Sequence, residues 1–340
     1  MVDKVEQLNE LMLSQYLQAN IEGFEGPLTT QKFDEGQSNP TFLLRAKSGK
    51  YVLRRKPPGV LLPSAHAVDR EFRVIRALEN TDVPVPKVYH LCEDTAVIGS
   101  AFYVMSFVPG KVYSDQTLPD KNNDDRRAMN QEIIRVLAEI HSVDVDTAGL
   151  SDYGKAGNYF ERQVSRWTKQ YRAAETENVP AMEKLMSWLS DNMPADAGQV
   201  SLIHGDYRLG NVMFEADGTQ MLAVVDWELS TLGNPLADLA YFCMYDIGMV
   251  ELTDSERAEL GLPSEAELVQ LYCDLRGLPS IDNWHFYSAF SHFRLASISQ
   301  GVYKRALDGN ASQKNAIEAG EGVKLLAQKA LQIIDEAGAG

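Results

Sequence analysis

The chain has 340 residues, 44% of them hydrophobic, enough for a sizeable core and more than one domain-sized unit. Its formal net charge of −16 disfavours nucleic-acid backbones and anionic membrane surfaces as partners, although local cations could still hold a small anion. The cysteines, Cys92, Cys243 and Cys273, are far apart and form no CxxC pair, which points away from a disulfide framework or a zinc knuckle. The first residues carry acids where a signal peptide carries bases, and no apolar run reaches the roughly 18 residues of a membrane span, so a cytoplasmic location is expected.

In chain order, Val5, Leu8, Leu11, Met12 and Tyr16 mark an amphipathic helix. Two short apolar runs, "TFLLRA" and "YVLRRK", are joined by Lys47-Ser48-Gly49-Lys50, a hairpin signal. "AHAVDREFRVIRALEN" has Val68, Phe72, Ile75 and Leu78 at helical spacing, and Pro84 and Pro86 prevent its continuation. "KVYHLC" and "AFYVMSF" read as two more strands. After Pro109-Gly110 the spacing turns helical, over about 121–142, 157–175 and 180–192. Short strands around 201–203, 211–215 and 221–225 interrupt this, and helices then dominate to the end. The expected fold class is α+β and bilobal. A sheet-rich N-terminal lobe would span 1–108 and a larger helical lobe 109–340, with a ligand in the cleft between them.

One loop concentrates chemistry. "HGDYRLGN" lies between apolar strands and places Asp206 five residues before Asn211. A second apolar run, "MLAVVD", ends on Asp226. If the strands on either side of the turn pair, Asn211 and Asp226 come together. An amide carbonyl and a carboxylate are hard oxygen donors that suit Mg²⁺, and Glu228 could add another. Asp206 would be left to take a proton from an attacking hydroxyl, with Arg208 as a fixed cation beside the transferred charge. His204 is expected to be structural. A different pattern, G-x-x-x-x-G-K over Gly149 to Lys155, is discarded as a P-loop, because Ala156 stands where Ser or Thr must bind the metal.

The order Asp206, Asn211, Asp226 resembles the catalytic and metal loops of kinases. "HGDYRLGN … VVDWE" followed by "GNPLADLAYF" looks like the aminoglycoside phosphotransferase and choline-kinase-like family. The resemblance implies a protein-kinase-like fold, ATP and Mg²⁺ as cofactors, and a small-molecule hydroxyl acceptor. It makes Asp238 a brace for the catalytic loop. It also implies a phosphate-covering loop at Gly36, Ser38 and Asn39, a cation on the strand "YVLR" at Arg54 with Lys56 as the alternative, and Glu71 as its helical partner. Backbone groups of Met105, Ser106 and Phe107 would meet the adenine. "YVLRRKPPG", "REFRVIRAL" and "RQVSRWTKQY" look most like the subgroup related to kinase domains fused to acyl-CoA dehydrogenases. That likeness implies a hydroxyacyl acceptor, such as a hydroxyacyl-CoA, more than an aminoglycoside or another amine or sugar. The single glycine of the phosphate loop and the Arg in place of Lys leave a second reading, a catalytically idle nucleotide-binding scaffold.

For the acceptor, "NWHFYSAFSHFRLASISQGVYKR" aligns Trp284, Tyr287, Ser291 and Arg294 or Leu295 on one helical stripe, and Phe286, Phe290 and Phe293 on another that reads as packing. Trp167 and Tyr171, at i and i+4, would wall the same pocket. Arg294 inside an aromatic stretch must find an anion or a carbonyl, whether a substrate group or a structural Asp.

Overall fold

A computed structural model describes residues 8–33, 39–57, 67–196, 198–250, 252–309 and 317–338. The described elements begin with α1 (Glu10–Asn20), β1 (Leu28–Lys32), β2 (Thr41–Ala46), β3 (Gly49–Arg55), α2 (Val68–Leu78), β4 (Val88–Cys92) and β5 (Phe102–Ser106). Next come α3 (Asn123–Ser142), α4 (Tyr159–Ala174), α5 (Pro180–Asp191), β6 (Ser201–Ile203), β7 (Val212–Phe214), β8 (Met221–Val224) and β9 (Thr231–Gly233). The chain closes with α6 (Leu236–Phe242), α7 (Asp254–Glu259), α8 (Glu265–Arg276), α9 (Trp284–Leu307) and α10 (Ala319–Glu336). The class is α+β, as the sequence indicates. The chain packs as two compact units: Met1–Tyr113 with Asp146–Leu150 and Gly210–Ser230, and Ser114–Val145 with Ser151–Leu209 and Thr231–Gly340. The sequence reading draws one boundary at 108/109. The structure instead groups the segment carrying Asn211, Asp226 and Glu228 with the first unit, because backbone bonds Val224 N–H to Pro84 O and Lys111 N–H to Phe214 O tie it there.

In the first unit a five-stranded antiparallel sheet runs in the order β1-β2-β3-β5-β4. The expected hairpin closes at Ala46↔Gly49 with Lys47-Ser48 as a two-residue turn, and Gly49 takes a positive φ of +143° that suits glycine. Side chains alternate across β3. Leu53, fully buried between Phe42 and Val104, joins the apolar cluster under α1. Arg54 points to the other face, beside Tyr103, where α2 packs through Phe72 at 6.2 Å between ring centroids. The first helix starts at its Asn9 cap, but its face differs from expectation. Leu13 and Leu17, one turn apart, are buried with Leu8, whereas Leu11 is 70% and Met12 48% exposed. Val5 lies outside the described residues.

In the second unit the expected helices appear as α3, α4 and α5. The Phe stripe of α9 is core, with Phe286, Phe290 and Phe293 at 0–1% exposure, and Phe160 of α4 packs edge-on against two of them. Between the helices β6 pairs antiparallel with β9, a strand that sequence periodicity does not reveal.

The burial pattern makes a direct prediction. Leu53→Ala is expected to lower stability in urea unfolding by about 2–5 kcal/mol, and Leu11→Ser by less than about 0.5 kcal/mol. Equal losses in the two variants would contradict the assigned faces.

Candidate active site

The first unit gathers acids around one guanidinium. Arg54 Nε donates to Glu71 Oε2 at 3.0 Å, and Nη2 pairs with Asp226 Oδ1 and lies 3.8 Å from Glu228 Oε2. Asn39 Nδ2 donates to the same Glu71 oxygen at 3.2 Å. This is the strand-to-helix pair expected of Arg54 and Glu71, extended to both acids of the "VVDWE" segment. Lys56 instead reaches Asp69, at 3.5 Å. Burial, the largest influence on Arg54, works against its charge, but Glu71 and Asp226 more than reverse it, so its pKa is raised. Glu71 stands raised at about 7: burial is the largest cause, Arg54 pulls against it, and Asp226 and Glu228 add to the rise. Three carboxyl groups face one guanidinium, so acids outnumber the cation among these contacts.

Asn211 and Asp226 are placed by the β7–β8 hairpin. The Asn211 carbonyl accepts from Val225 N–H at 2.9 Å, which sets Asp226 next in line. Asp226 sits in the left-handed region, φ +66° and ψ 54°, an uncommon backbone for a non-glycine residue that Asp tolerates better than most. Among the described residues no cluster of three or more His, Cys, Asp or Glu forms a complete metal cage. A carboxamide, two carboxylates and surplus negative charge nevertheless fit a cation such as Mg²⁺, which keeps waters and phosphate oxygens among its ligands. Of the expected nucleotide loop, Gly36 and Ser38 lie outside the described residues. At the end of β5, the Ser106 N–H goes to the Lys87 carbonyl at 2.8 Å and its hydroxyl accepts from Lys87 N–H, while Met105 is paired across the sheet. Phe107 is the first residue past the strand, with Lys50 over its ring at 5.3 Å.

The second unit carries the loop His204–Arg208. Asp238, fully buried on α6, accepts His204 N–H at 2.6 Å and Gly205 N–H at 2.9 Å. Burial alone would raise its pKa; hydrogen bonding and charge from His141 and the Gly205 N–H hold it below the ordinary value. His141 continues the chain of contacts, 2.7 Å from the Tyr272 hydroxyl. Gly205 has φ +85°, where a side chain would be strained. His204 is buried and its Nδ1 accepts Asp206 N–H at 3.2 Å, so it serves the backbone of the loop. Tyr207 anchors the next turn through its hydroxyl to the Ile133 carbonyl at 2.8 Å.

The Asp206 side chain is 22% exposed and lies 3.4 Å from Arg208 Nε. The Tyr241 hydroxyl also bonds it. Tyr241, Tyr245 and Asp246 are functional neighbours that the sequence reading misses. They follow Asp238 at +3, +7 and +8, one helical face, which is the signal that could have found them. Tyr245 lies under Arg208 at 5.3 Å, and Asp246 accepts Leu209 N–H at 3.1 Å from a π-helical turn, Cys243–Gly248. The expected acceptor residues separate. Arg294 donates Nη2 to the Gly205 carbonyl and stacks on Tyr241 and Trp167. Tyr171 is buried one turn from Trp167. Trp284 instead gives its indole N–H to Glu265 of α8, and Tyr287 packs on Phe160 at 5.2 Å.

Burial raises the Asp246 carboxyl to about 7, against the pull of Leu209 N–H and Arg208. A pKa raised on folding adds stability that is complete below the ordinary carboxylate value and is lost as pH climbs through the folded one. The melting temperature of wild type relative to Asp246→Asn, which keeps an oxygen for Leu209 N–H, should therefore fall between about pH 4 and pH 7. A pH-independent difference would contradict the buried, protonatable state of Asp246.

These two groups of residues sit in a chain with informative relatives. It is 47% identical over 312 residues to Acyl-CoA dehydrogenase family member 10 of Mus musculus, covering 90% of this chain and 29% of that protein. It is 43% identical over 331 residues to Acyl-CoA dehydrogenase family member 11 of Homo sapiens, covering 94% of this chain and 42% of that protein. The chain thus spans less than half the length of these curated relatives. A crystal structure from Ralstonia eutropha, described as a candidate aminoglycoside phosphotransferase, superposes with a TM-score of 0.88 at 45% identity, covering 97% of this chain and 99% of that one. A thermostable mutant of aminoglycoside phosphotransferase APH(4)-Ia, solved in a ternary complex with AMP-PNP and hygromycin B, shares the fold alone, with a TM-score of 0.62 at 15% identity over 94% and 98% of the two chains. The sequence signature of the Phosphotransferase enzyme family, APH, matches residues 29–268. The chain belongs to that family.

Proposed function

We propose that the chain moves the γ-phosphoryl group of ATP to the hydroxyl of a small molecule. The observation that carries this reading is Asp206. Its backbone is pinned through Asp238 and His204, while its carboxylate stays partly open and is aimed by Tyr241 and Arg208. Family membership supplies the reaction class.

In this reading the acceptor hydroxyl gives its proton to Asp206 as its oxygen forms the new bond to phosphorus. The bond from phosphorus to the bridging oxygen breaks, and ADP leaves with that electron pair. Arg208 and Arg54 offset charge on the phosphate oxygens. Asn211 and Asp226, with Glu228, would hold Mg²⁺, which when bound neutralises phosphate charge. Asn39 would brace the Arg54–Glu71 pair through its amide, and the backbone at the end of β5, from the Ser106 carbonyl to Phe107, would meet the adenine edge. Positioning and fixed charge provide most of the acceleration, since little covalent work is asked of the protein.

For the acceptor we favour a hydroxyacyl compound, free or as a CoA thioester, over an aminoglycoside or another amine or sugar. The names of the mammalian relatives support this choice. The location we propose is the cytoplasm. Among the described residues no helix is long and apolar enough to cross a membrane.

Asp206→Ala is expected to cut phosphoryl transfer by at least about a hundredfold, with ATP affinity kept. Unchanged turnover would remove Asp206 from its role. Tight Mg-ATP binding without transfer to any acceptor would favour the idle scaffold.

A further inference from the structure

Helices α4 and α9 pack along one another, and part of their seam is rich in hydrogen-bond donors and poor in acceptors. Arg294 is only 7% exposed. Its guanidinium lies 4.8 Å from the Tyr241 ring centroid and 5.7 Å from that of Trp167, with Nη2 on the Gly205 carbonyl. Its Nε is buried without a hydrogen-bond partner among the described residues, as are Trp167 Nε1 and the Tyr171 hydroxyl. Among the described residues no carboxylate lies within salt-bridge distance of Arg294, whereas Arg54 has three. A buried guanidinium has lost its water. One carbonyl and two ring faces return only part of that solvation, and an uncompensated buried cation calls for an anion.

We infer that Arg294 is a specificity-determining residue that binds an oxyanion of the acceptor beside Asp206. The oxyanion is a carboxylate or a phosphoryl group. Tyr241 sets the spacing, since its ring stacks on Arg294 and its hydroxyl bonds Asp206. An anion at Arg294 therefore sits about one tyrosine ring from the carboxylate that would take the proton. The site selects molecules that carry a hydroxyl and an anionic group a few bonds apart, and it disfavours polycationic acceptors. The word acceptor rests on the phosphotransfer reading; the anion site rests on the contacts alone.

The test uses the full chain with Mg-AMP-PNP and titration calorimetry. The probes are a ladder of unbranched hydroxy acids, the matching diol monophosphates, and the uncharged diols. At least one anionic ladder is expected to bind about tenfold or more tightly than the diol of equal length, the scale of a charged hydrogen bond. The ladder that wins identifies the source of the oxyanion. Arg294→Gln is expected to abolish the gap. Should that variant not fold, Arg294→Lys, which keeps the charge and loses the fork, is expected to narrow the gap several-fold. Diols binding as tightly as both anionic ladders, or a gap untouched by either variant, would overturn the inference. Arg294-dependent anion binding without phosphoryl transfer would keep this site and end the phosphotransfer reading. Transfer to uncharged acceptors alone, indifferent to Arg294, would do the reverse.

Discussion

The buried carboxylate of Asp238 fixes the backbone on which the rest of the second unit's chemistry depends. Its two oxygens take two consecutive N–H groups, those of His204 and Gly205. Such a bidentate grip leaves the peptide plane little freedom to rotate. A buried anion without donors would be costly, so the grip holds both partners in place. His141 and Tyr272 extend the network away from the loop, and Arg294 holds the Gly205 carbonyl on the other side of the same residue. Asp206 comes next in the chain, so its carboxylate is positioned by a backbone that cannot drift. The proposed base is thereby set by second-neighbour contacts more than by its own bonds.

The first unit handles charge differently. There the acids outnumber the cation, and Arg54 is shared by Glu71, Asp226 and Glu228. Glu71 is pushed up to about 7, chiefly by burial, and the neighbouring acids Asp226 and Glu228 add to the rise against the pull of Arg54. Such a cluster is ready to accept positive charge, and a divalent cation with its phosphate ligands is the partner that chemistry suggests. In the second unit the imbalance has the opposite sign at Arg294. Each imbalance points to a ligand that completes it, one cationic and one anionic.

Much of this was legible in the sequence because spacing and chemistry agree. The "HGDYRLGN" loop between two apolar runs, with Asp226 after a third, fixes the hairpin that sets Asn211 beside Val225. The pairing of Arg54 with Glu71 comes from the resemblance to kinase-like proteins, and the alternation of β3 accords with it. Other features depend on distant packing. The face of α1 is decided by what covers Leu13 and Leu17, since Leu11 and Met12 are equally apolar in sequence. The strand β9 has three residues, too few to show a period. Trp284 shares a helical stripe with Arg294, but lies ten residues away, roughly 15 Å along the helix, and its N–H goes to Glu265. Tyr241, the neighbour of Asp206 on α6, was hidden because "LADLAYF" reads as an ordinary apolar helix until its Asp238 is seen to face the loop.

The measurement that most directly tests the account is phosphorus NMR of the protein turning over Mg-ATP with a hydroxy acid. The account predicts a new phosphate-ester resonance growing in step with ADP. ADP accompanied by inorganic phosphate alone, for hydroxy acids and every other hydroxyl acceptor supplied, would contradict it.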